Sequence, residues 1–157
     1  MKVSTRAHYG LRAVIAISEM ARSGLPVSVS DVAKAENLSD TYLEQLVSKL
    51  RRAGILRSYR GARGGYELVR DPDTITVAEV LKAAGEQIIF PECTTPEGCE
   101  LAHQRGHVCA SSHFWQNLNS MVNKIAEETT VGSLIRNYRR RDGRNAGRKT
   151  AMTRWSE

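Results

Sequence analysis

A mostly α-helical fold with one small β-hairpin is what this 157-residue sequence predicts. Three observations carry that expectation. Apolar residues recur at helical spacing in several separate segments. One pair of short strand-like runs flanks a glycine-rich stretch. Gly, Pro, Ser and Thr stand between the segments as breakers and caps. The chain is 41% hydrophobic and 25% charged, which suits a packed core and excludes a wholly disordered chain. No apolar run reaches the roughly 18 residues of a transmembrane helix. The opening apolar stretch is interrupted by Arg12 and has no small-residue cleavage site after it. A secretory signal and a membrane partner are therefore not expected, and the expected compartment is the cytoplasm.

Residues 8–21 place Leu11, Val14, Ile15 and Ile17 among Ala13, Ala16 and Ala21, the density of a buried helix. Gly24, Leu25 and Pro26 break it. Ser30 before Asp31 predicts the N-cap of a short helix over 31–36. After the turn Asn37-Leu38-Ser39, a second helix starts near Ser39 or Thr41, the latter in capping-box spacing with Glu44. Its Leu43, Leu46, Val47 and Leu50 fall at i, i+3, i+4 and i+7, and Gly54 is the residue that ends it. Residues 55–60 and 66–70 read as strands around Gly61-Ala-Arg-Gly-Gly65, a hairpin closed off by Pro72. Thr76 caps a helix to about Ala84, with Val77, Val80 and Leu81 on one face. Residues 85–110 show no periodicity and hold all three cysteines. Residues 111–128 form a long helix with Trp115, Leu118, Val122 and Ile125 in a stripe widened by Phe114 and Met121. A short helix over 133–138 follows, and the tail from Arg139 is basic, poor in apolar residues and expected to be disordered.

The net charge of +6 lies wholly at the end of the chain. Residues 136–157 hold eight basic residues against Asp142 and Glu157, and residues 1–135 balance. Within that neutral body, residues 49–70 hold seven basic residues and one acid, Glu67, whereas residues 71–130 hold nine acids and three bases. A basic block in an otherwise acidic chain attracts a polyanion.

Helix, short helix, tight turn, amphipathic helix and basic hairpin follow one another in the order of a winged helix-turn-helix. The second helix of the motif buries one stripe and shows Thr41, Tyr42, Glu44, Gln45, Ser48 and Lys49 on its other faces. Gln45 is suited to a paired hydrogen bond with adenine, and Glu44 to accepting from the amino group of cytosine. Lys49, Arg51, Arg52 and Arg57 suit phosphates. Arg60 and Arg63 stand at the hairpin tip, where glycines allow close approach to the DNA backbone or minor groove. The partner implied is double-stranded operator DNA. Readers of this kind usually work as two-fold pairs, which favours a homodimer seam for the 111–128 stripe over an intramolecular core.

Cys93, Cys99 and Cys109 are spaced C-x5-C-x9-C just before the long helix. An odd count in a cytoplasmic chain argues against a disulfide framework. Thiolates on a loop with Pro91, Pro96, Gly98 and Gly106 suit a soft metal centre, an iron–sulfur cluster or zinc; redox-active thiols and no metal at all remain open on composition alone. Enzymatic turnover is not expected. There is no Ser/His/Asp order and no phosphate loop, and Gly61–Gly65 lies in a hairpin rather than between strand and helix.

The segment Ser39-Asp-Thr-Tyr-Leu-Glu-Gln-Leu-Val-Ser-Lys-Leu-Arg-Arg-Ala-Gly54, followed by Arg60-Gly-Ala-Arg-Gly-Gly-Tyr66, resembles the winged-helix repressors typified by IscR, NsrR and CymR. Met1-Lys-Val-Ser-Thr with Tyr9 is similar too, and the likeness covers residues 1–135. It implies base contacts by Thr41, Glu44 and Gln45, wing contacts by Arg60 and Arg63, and a homodimer paired through 111–128. IscR-like and NsrR-like members carry three cysteines in this loop and bind an iron–sulfur cluster there; CymR-like members lack them. The likeness thus implies a cluster on Cys93, Cys99 and Cys109, 2Fe-2S in preference to 4Fe-4S. Two departures stand out. The family's third cysteine commonly falls nearer the second, where this chain has Arg105. IscR-like proteins place a histidine three residues before the helix tryptophan, where this chain has Ser112. His113, one residue closer to Trp115, is the first choice for the fourth ligand and His107 the next. NsrR-like proteins use an aspartate from the partner's N-terminus at the position of His8.

The expected organisation is a winged helix-turn-helix DNA-binding domain over 1–84, a cluster-binding cysteine loop over 85–110, a dimerisation helix and short helix over 111–138, and a basic tail over 139–157. The expected function is a transcriptional repressor controlled by an iron–sulfur cluster that reports iron–sulfur supply, redox state or nitric oxide. The alternative is the same DNA reader controlled by thiol oxidation or zinc.

Overall fold

The computed structural model describes residues 4–21, 25–61, 64–86 and 109–152, with side chains as far as Arg141. Helix α1 (Thr5–Met20) opens with the Ser4 hydroxyl accepting from the Ala7 amide and buries Ala7, Gly10, Ala13, Val14, Ala16 and Ile17. Helix α2 (Val29–Glu36) is capped by Ser28, not by Ser30 as the sequence suggests. Ser28 Oγ accepts from the Asp31 amide at 3.1 Å and so lies three residues before it, the spacing a cap requires; Ser30 is inside the first turn. Asn37 ends α2 in the left-handed conformation, with φ 54°.

Helix α3 (Asp40–Arg52) is capped by Ser39, whose hydroxyl accepts from the Tyr42 amide, which decides between Ser39 and Thr41. Leu43, Leu46, Val47 and Leu50 are all buried. The helix ends as expected at Gly54, with φ +74°. The Gly54 amide donates to Arg51 O and the Ile55 amide to Leu50 O, the paired bonds of a Schellman stop. Strands β1 (Leu56–Tyr59) and β2 (Gly65–Leu68) pair antiparallel, with Leu56 opposite Leu68 and Tyr59 opposite Gly65. The hairpin is thus present and a little shorter than the strand-like runs. A turn of 3-10 helix, Pro72–Thr74, leads into α4 (Val77–Ala83). Thr76 and Glu79 form a full capping box there.

Helix α5 (Ser112–Glu128) packs on α4, and α6 (Val131–Met152) returns to the Pro72–Thr74 turn and to α1. The α5–α6 corner is stitched to the start of α4: the Val77 amide donates to Thr129 O at 2.8 Å and the Val131 amide to Ile75 O at 2.9 Å. Val131 and Ile135 thereby join Val14, Ile17, Leu43, Val47, Leu50, Leu56, Ile75 and Val80 in one core.

The last helix corrects the sequence reading. It runs from Val131 to Met152, past Tyr138 and through much of the segment expected to be disordered. Its first turns are locked by the core, by Arg136 pairing with Asp73 and by Arg139 pairing with Glu19 at 2.7 Å. Arg, Lys and Ala are good helix formers, so the chain beyond continues the helix once it is anchored. Two of the eight cations of residues 136–157 pair in this way with acids of the body. Helix α5 is the opposite case: Phe114, Met121 and Ile125 are 60, 63 and 62% exposed, so most of its stripe is not spent on this chain's core.

Ile135→Ala is expected to cost about 2–5 kcal/mol, as for other buried isoleucines, read from the denaturation midpoint; a change under about 0.5 kcal/mol, typical of a surface site, would remove α6 from the core. Glu79 accepts from the Thr76 amide and pairs with Arg70, and these hold its carboxyl below the usual carboxylate range. Its contribution to stability is complete above the ordinary carboxylate pKa and is lost as pH falls through the lowered folded value. Glu79→Gln is expected to flatten that acid limb of the stability profile.

Candidate nucleic-acid interface and cysteine segment

With about 100° between successive residues of a helix, the buried stripe of α3 sets what its other faces present. Directly opposite the stripe lie Thr41, Gln45, Ser48 and Arg52, with Glu44 and Arg51 on one flank. Thr41, Glu44, Gln45, Arg51 and Arg52 are exposed. This is a polar surface projecting away from the core.

Tyr42 and Lys49 lie on the other flank. Tyr42 sits edge-on to Tyr9 of α1, with ring centroids 6.0 Å apart. Its hydroxyl is buried with no hydrogen-bond partner among the described residues. Lys49 is half-buried and its Nζ donates to Ala84 O at 3.3 Å. Tyr42 falls about 60° and Lys49 about 40° from Gln45 toward the packed side, so Tyr42 leaves the outward face for α1 and Lys49 stands at its edge, half-buried and bonded to Ala84.

The hairpin carries Arg60 exposed at its tip, and Arg63 lies outside the described residues. Arg57 is held within the hairpin: it pairs with Glu67, which also accepts from the Tyr59 hydroxyl at 2.6 Å. The hydrogen bond from Tyr59 and then Arg57 lower the Glu67 carboxyl, and the bond to Glu67 raises the Tyr59 phenol. The one acid of the basic block thus neutralises Arg57 and leaves Arg60, among the described residues of the hairpin, as an outward cation. Gly65 has a packing role that the sequence did not reveal. Val27 and Tyr66 exchange both backbone hydrogen bonds, at 2.9 and 2.8 Å, and a Cβ on Gly65 would lie 2.4 Å from Val27 O. The wing is fastened to the segment before α2 by this contact.

The cysteine segment leaves the domain at a pinned joint. Ala84, the buried residue that caps the end of α4, packs on Gly10 of α1, where an added Cβ would meet Ala84 Cβ at 3.1 Å. Its carbonyl takes the Lys49 bond from α3, and two residues on Glu86 pairs with Arg6 at 3.5 Å. Cys93, Cys99, His103 and His107 lie outside the described residues. At the far end, Cys109 is exposed, with Sγ 3.2 Å from Ser111 Oγ, directly before α5. His113 is exposed on the first turn of α5, its Nδ1 3.3 Å from Asn117 Nδ2. Turning the Asn117 amide over would let Oδ1 accept from Nδ1–H, the arrangement that leaves Nε2 to bind a metal. An exposed thiol and an exposed imidazole four residues apart at one helix start fit the donor set of a thiolate-rich centre. Among the described residues no group of three candidate ligands is assembled. His8 is exposed on α1 and stacks edge-on to Tyr9, centroids 5.0 Å apart. No helix among the described residues is long and apolar enough to cross a membrane.

Residues 3–137 match the family described as Rrf2, iron-dependent transcriptional regulator. The chain is 35% identical over 135 residues to the HTH-type transcriptional regulator IscR of Aliivibrio salmonicida, covering 86% of this chain and 77% of that protein. Among solved structures it is similar to CymR, the global cysteine regulator of B. subtilis, with a TM-score of 0.73 and 33% identity over 87% of this chain and 98% of that one. It is also similar to T. potens IscR, with a TM-score of 0.69 and 28% identity over 88% of each chain.

Gly65→Ala is expected to destabilise the protein by about 1–3 kcal/mol or more, the cost of forcing atoms into an occupied space. Amide exchange at Val27 and Tyr66 should accelerate with it. Unchanged stability and protection would show that the wing is not fastened at Val27.

Proposed function

The chain belongs to the Rrf2 family of iron-dependent transcriptional regulators and is a DNA-binding regulator; from that premise we propose that it is a repressor whose operator binding is set by an iron–sulfur cluster in its cysteine segment. The observation that carries the reading is the Lys49–Ala84 hydrogen bond, which fastens the reading helix to the last turn before that segment. Thr41, Glu44 and Gln45 read bases in the major groove, Arg60 and Arg63 of the wing reach the adjacent minor groove, and Arg51 and Arg52 meet phosphates.

Cys93, Cys99 and Cys109, with His113 as fourth donor, hold the cluster, 2Fe-2S in type, which supplies a metal centre responsive to iron–sulfur supply and redox state. Ligand binding by these side chains biases the positions of the two flanking anchors, Ala84–Glu86 and the start of α5. Lys49 passes a displacement of the first anchor to α3, and the α4–α5 contact passes a displacement of the second to α4. A state that favours one placement of α3 changes DNA affinity; a ligand indifferent to the two placements does nothing. A second copy of the chain covers Phe114, Met121 and Ile125 of α5, giving the two-fold pair a palindromic operator requires.

A second reading keeps the DNA reader and replaces the cluster by thiol oxidation or zinc; the exposed Cys109 thiol favours it. Iron and sulfide quantitation with absorption spectroscopy on protein purified without oxygen separates the two. The cluster reading expects iron, sulfide and a visible band, all lost in the Cys93→Ala/Cys99→Ala/Cys109→Ala variant; zinc, or metal-free protein after reconstitution, overturns it. For the DNA interface, Gln45→Ala is expected to relax base preference at a cost of about 1–3 kcal/mol. Arg60→Ala is expected to weaken binding and reduce its salt dependence. Operator titrations unaffected by both would remove α3 and the wing from the interface.

A further inference from the structure

Between the end of α3, the end of the hairpin and α4 lies an open cleft of about 610 Å3, in which Lys82 of α4 has no role so far. Lys49, Arg52, Arg70 and Lys82 line it, with Glu79 as its acid and Ile55 on its floor. Glu79 is already committed to Arg70, at 2.5 Å, and to the Thr76 cap. The positive charge of Lys49, Arg52 and Lys82 is therefore left uncompensated within the cleft. Each of these side chains keeps N–H donors beyond those in use. Lys49 spends one of three on Ala84 O, and Arg52 spends Nε on Ser48 O at 3.4 Å. Lys82 is exposed, with no acidic partner among the described residues.

The position of the cleft is as telling as its charge. Arg52 is the last residue of the outward stripe Thr41, Gln45, Ser48, Arg52, so the cleft opens where the reading face of α3 ends. A helix that enters the major groove by its N-terminal turns brings its other end against the backbone of the flanking strand. Three cations with spare donors around an open hollow match a phosphodiester, which offers diffuse negative charge and acceptor oxygens and no proton to give.

We propose that this cleft is a phosphate-binding site that grips the DNA backbone beside the bases read by α3, with Lys82 of α4 as its outer cation. It rests on the DNA-reading assignment above and extends the contact surface from the helix-turn-helix and wing to α4, the element that leads into the cysteine segment. The site contributes affinity and register but no sequence preference.

The test is a set of anisotropy titrations of the full-length protein with operator and scrambled duplexes at several salt concentrations, for wild type, Lys82→Ala and Lys82→Arg. The expected result for Lys82→Ala is a fall of about 0.9 in the slope of log affinity against log salt, the loss of one phosphate contact. The ratio of operator to scrambled affinity should be unchanged, and Lys82→Arg should restore the slope. An unchanged slope with intact operator binding overturns the cleft assignment alone; absence of operator binding by wild type overturns the DNA-reading assignment itself. A second arm measures inorganic phosphate binding to the protein without DNA by calorimetry. Phosphate binding that Lys82→Ala abolishes, with no change in the DNA slope, assigns the cleft to a free phosphorylated ligand and overturns the backbone contact. No phosphate binding together with the slope change supports the backbone contact.

Discussion

The carbonyl of Ala84 ties the α3 helix to the point from which the cysteine segment leaves the domain. Lys49 of the reading helix donates to it, Gly10 of α1 accommodates its side chain, and Arg6 holds Glu86 just beyond it. A hydrogen bond from a charged donor contributes about 1.5–3 kcal/mol, and the partial exposure of Lys49 places this one toward the lower end. Allosteric coupling free energies are typically about 1–3 kcal/mol. One such bond, present in one placement of the segment and broken in another, is therefore of the right order to alter DNA affinity by a regulatory factor. No large rearrangement of the core is required, and a core this closely packed would resist one.

That economy depends on how α3 is mounted. Four buried apolar residues fix one face, Ser39 fixes its start and Gly54 its stop, so the helix moves as a rigid piece. Its remaining flanks divide the labour. The face opposite the stripe is left polar and outward, while Tyr42 and Lys49 tie the side of the helix to α1 and α4. The same α4 bears Lys82 on the cleft, so the segment's anchor, the phosphate grip and the reading helix share one wall.

The elements set by periodicity and by local caps were readable from the chain: the α3 stripe, the Gly54 stop, the Thr76 cap and the hairpin all stand where the residue pattern places them. The features that escaped depend on contacts distant in sequence, the α2 cap excepted. Ser28 has Asp31 three residues on and Ser30 has Ala33, so the S-x-x-D spacing was the signal for Ser28 that the sequence reading passed over. The Val27–Tyr66 pairing involves one residue on one side and leaves no alternation to detect. Val131 and Ile135 stand just before the basic stretch that opens at Arg136, and so short an apolar run does not announce that α6 closes the core and extends to Met152. Tyr42 and Lys49 carry side chains typical of DNA contacts, and only the positions of α1 and α4 show that Tyr42 packs on Tyr9 and that Lys49 spends one donor on Ala84. Of the candidate cluster ligands, Cys109 and His113 stand together at the start of α5, whereas Cys93, Cys99 and His107 lie outside the described residues.

Amide hydrogen exchange on the oxygen-free, iron-loaded protein and on the same protein stripped of iron tests most directly whether the segment and the reading helix are joined through Ala84. The account predicts that iron removal changes exchange at both ends of the cysteine segment, Ala84–Glu86 and Cys109–His113, and also in the last turn of α3 around Lys49. A change confined to the Cys109 end, with the α3 amides and Ala84 unaltered, would contradict it.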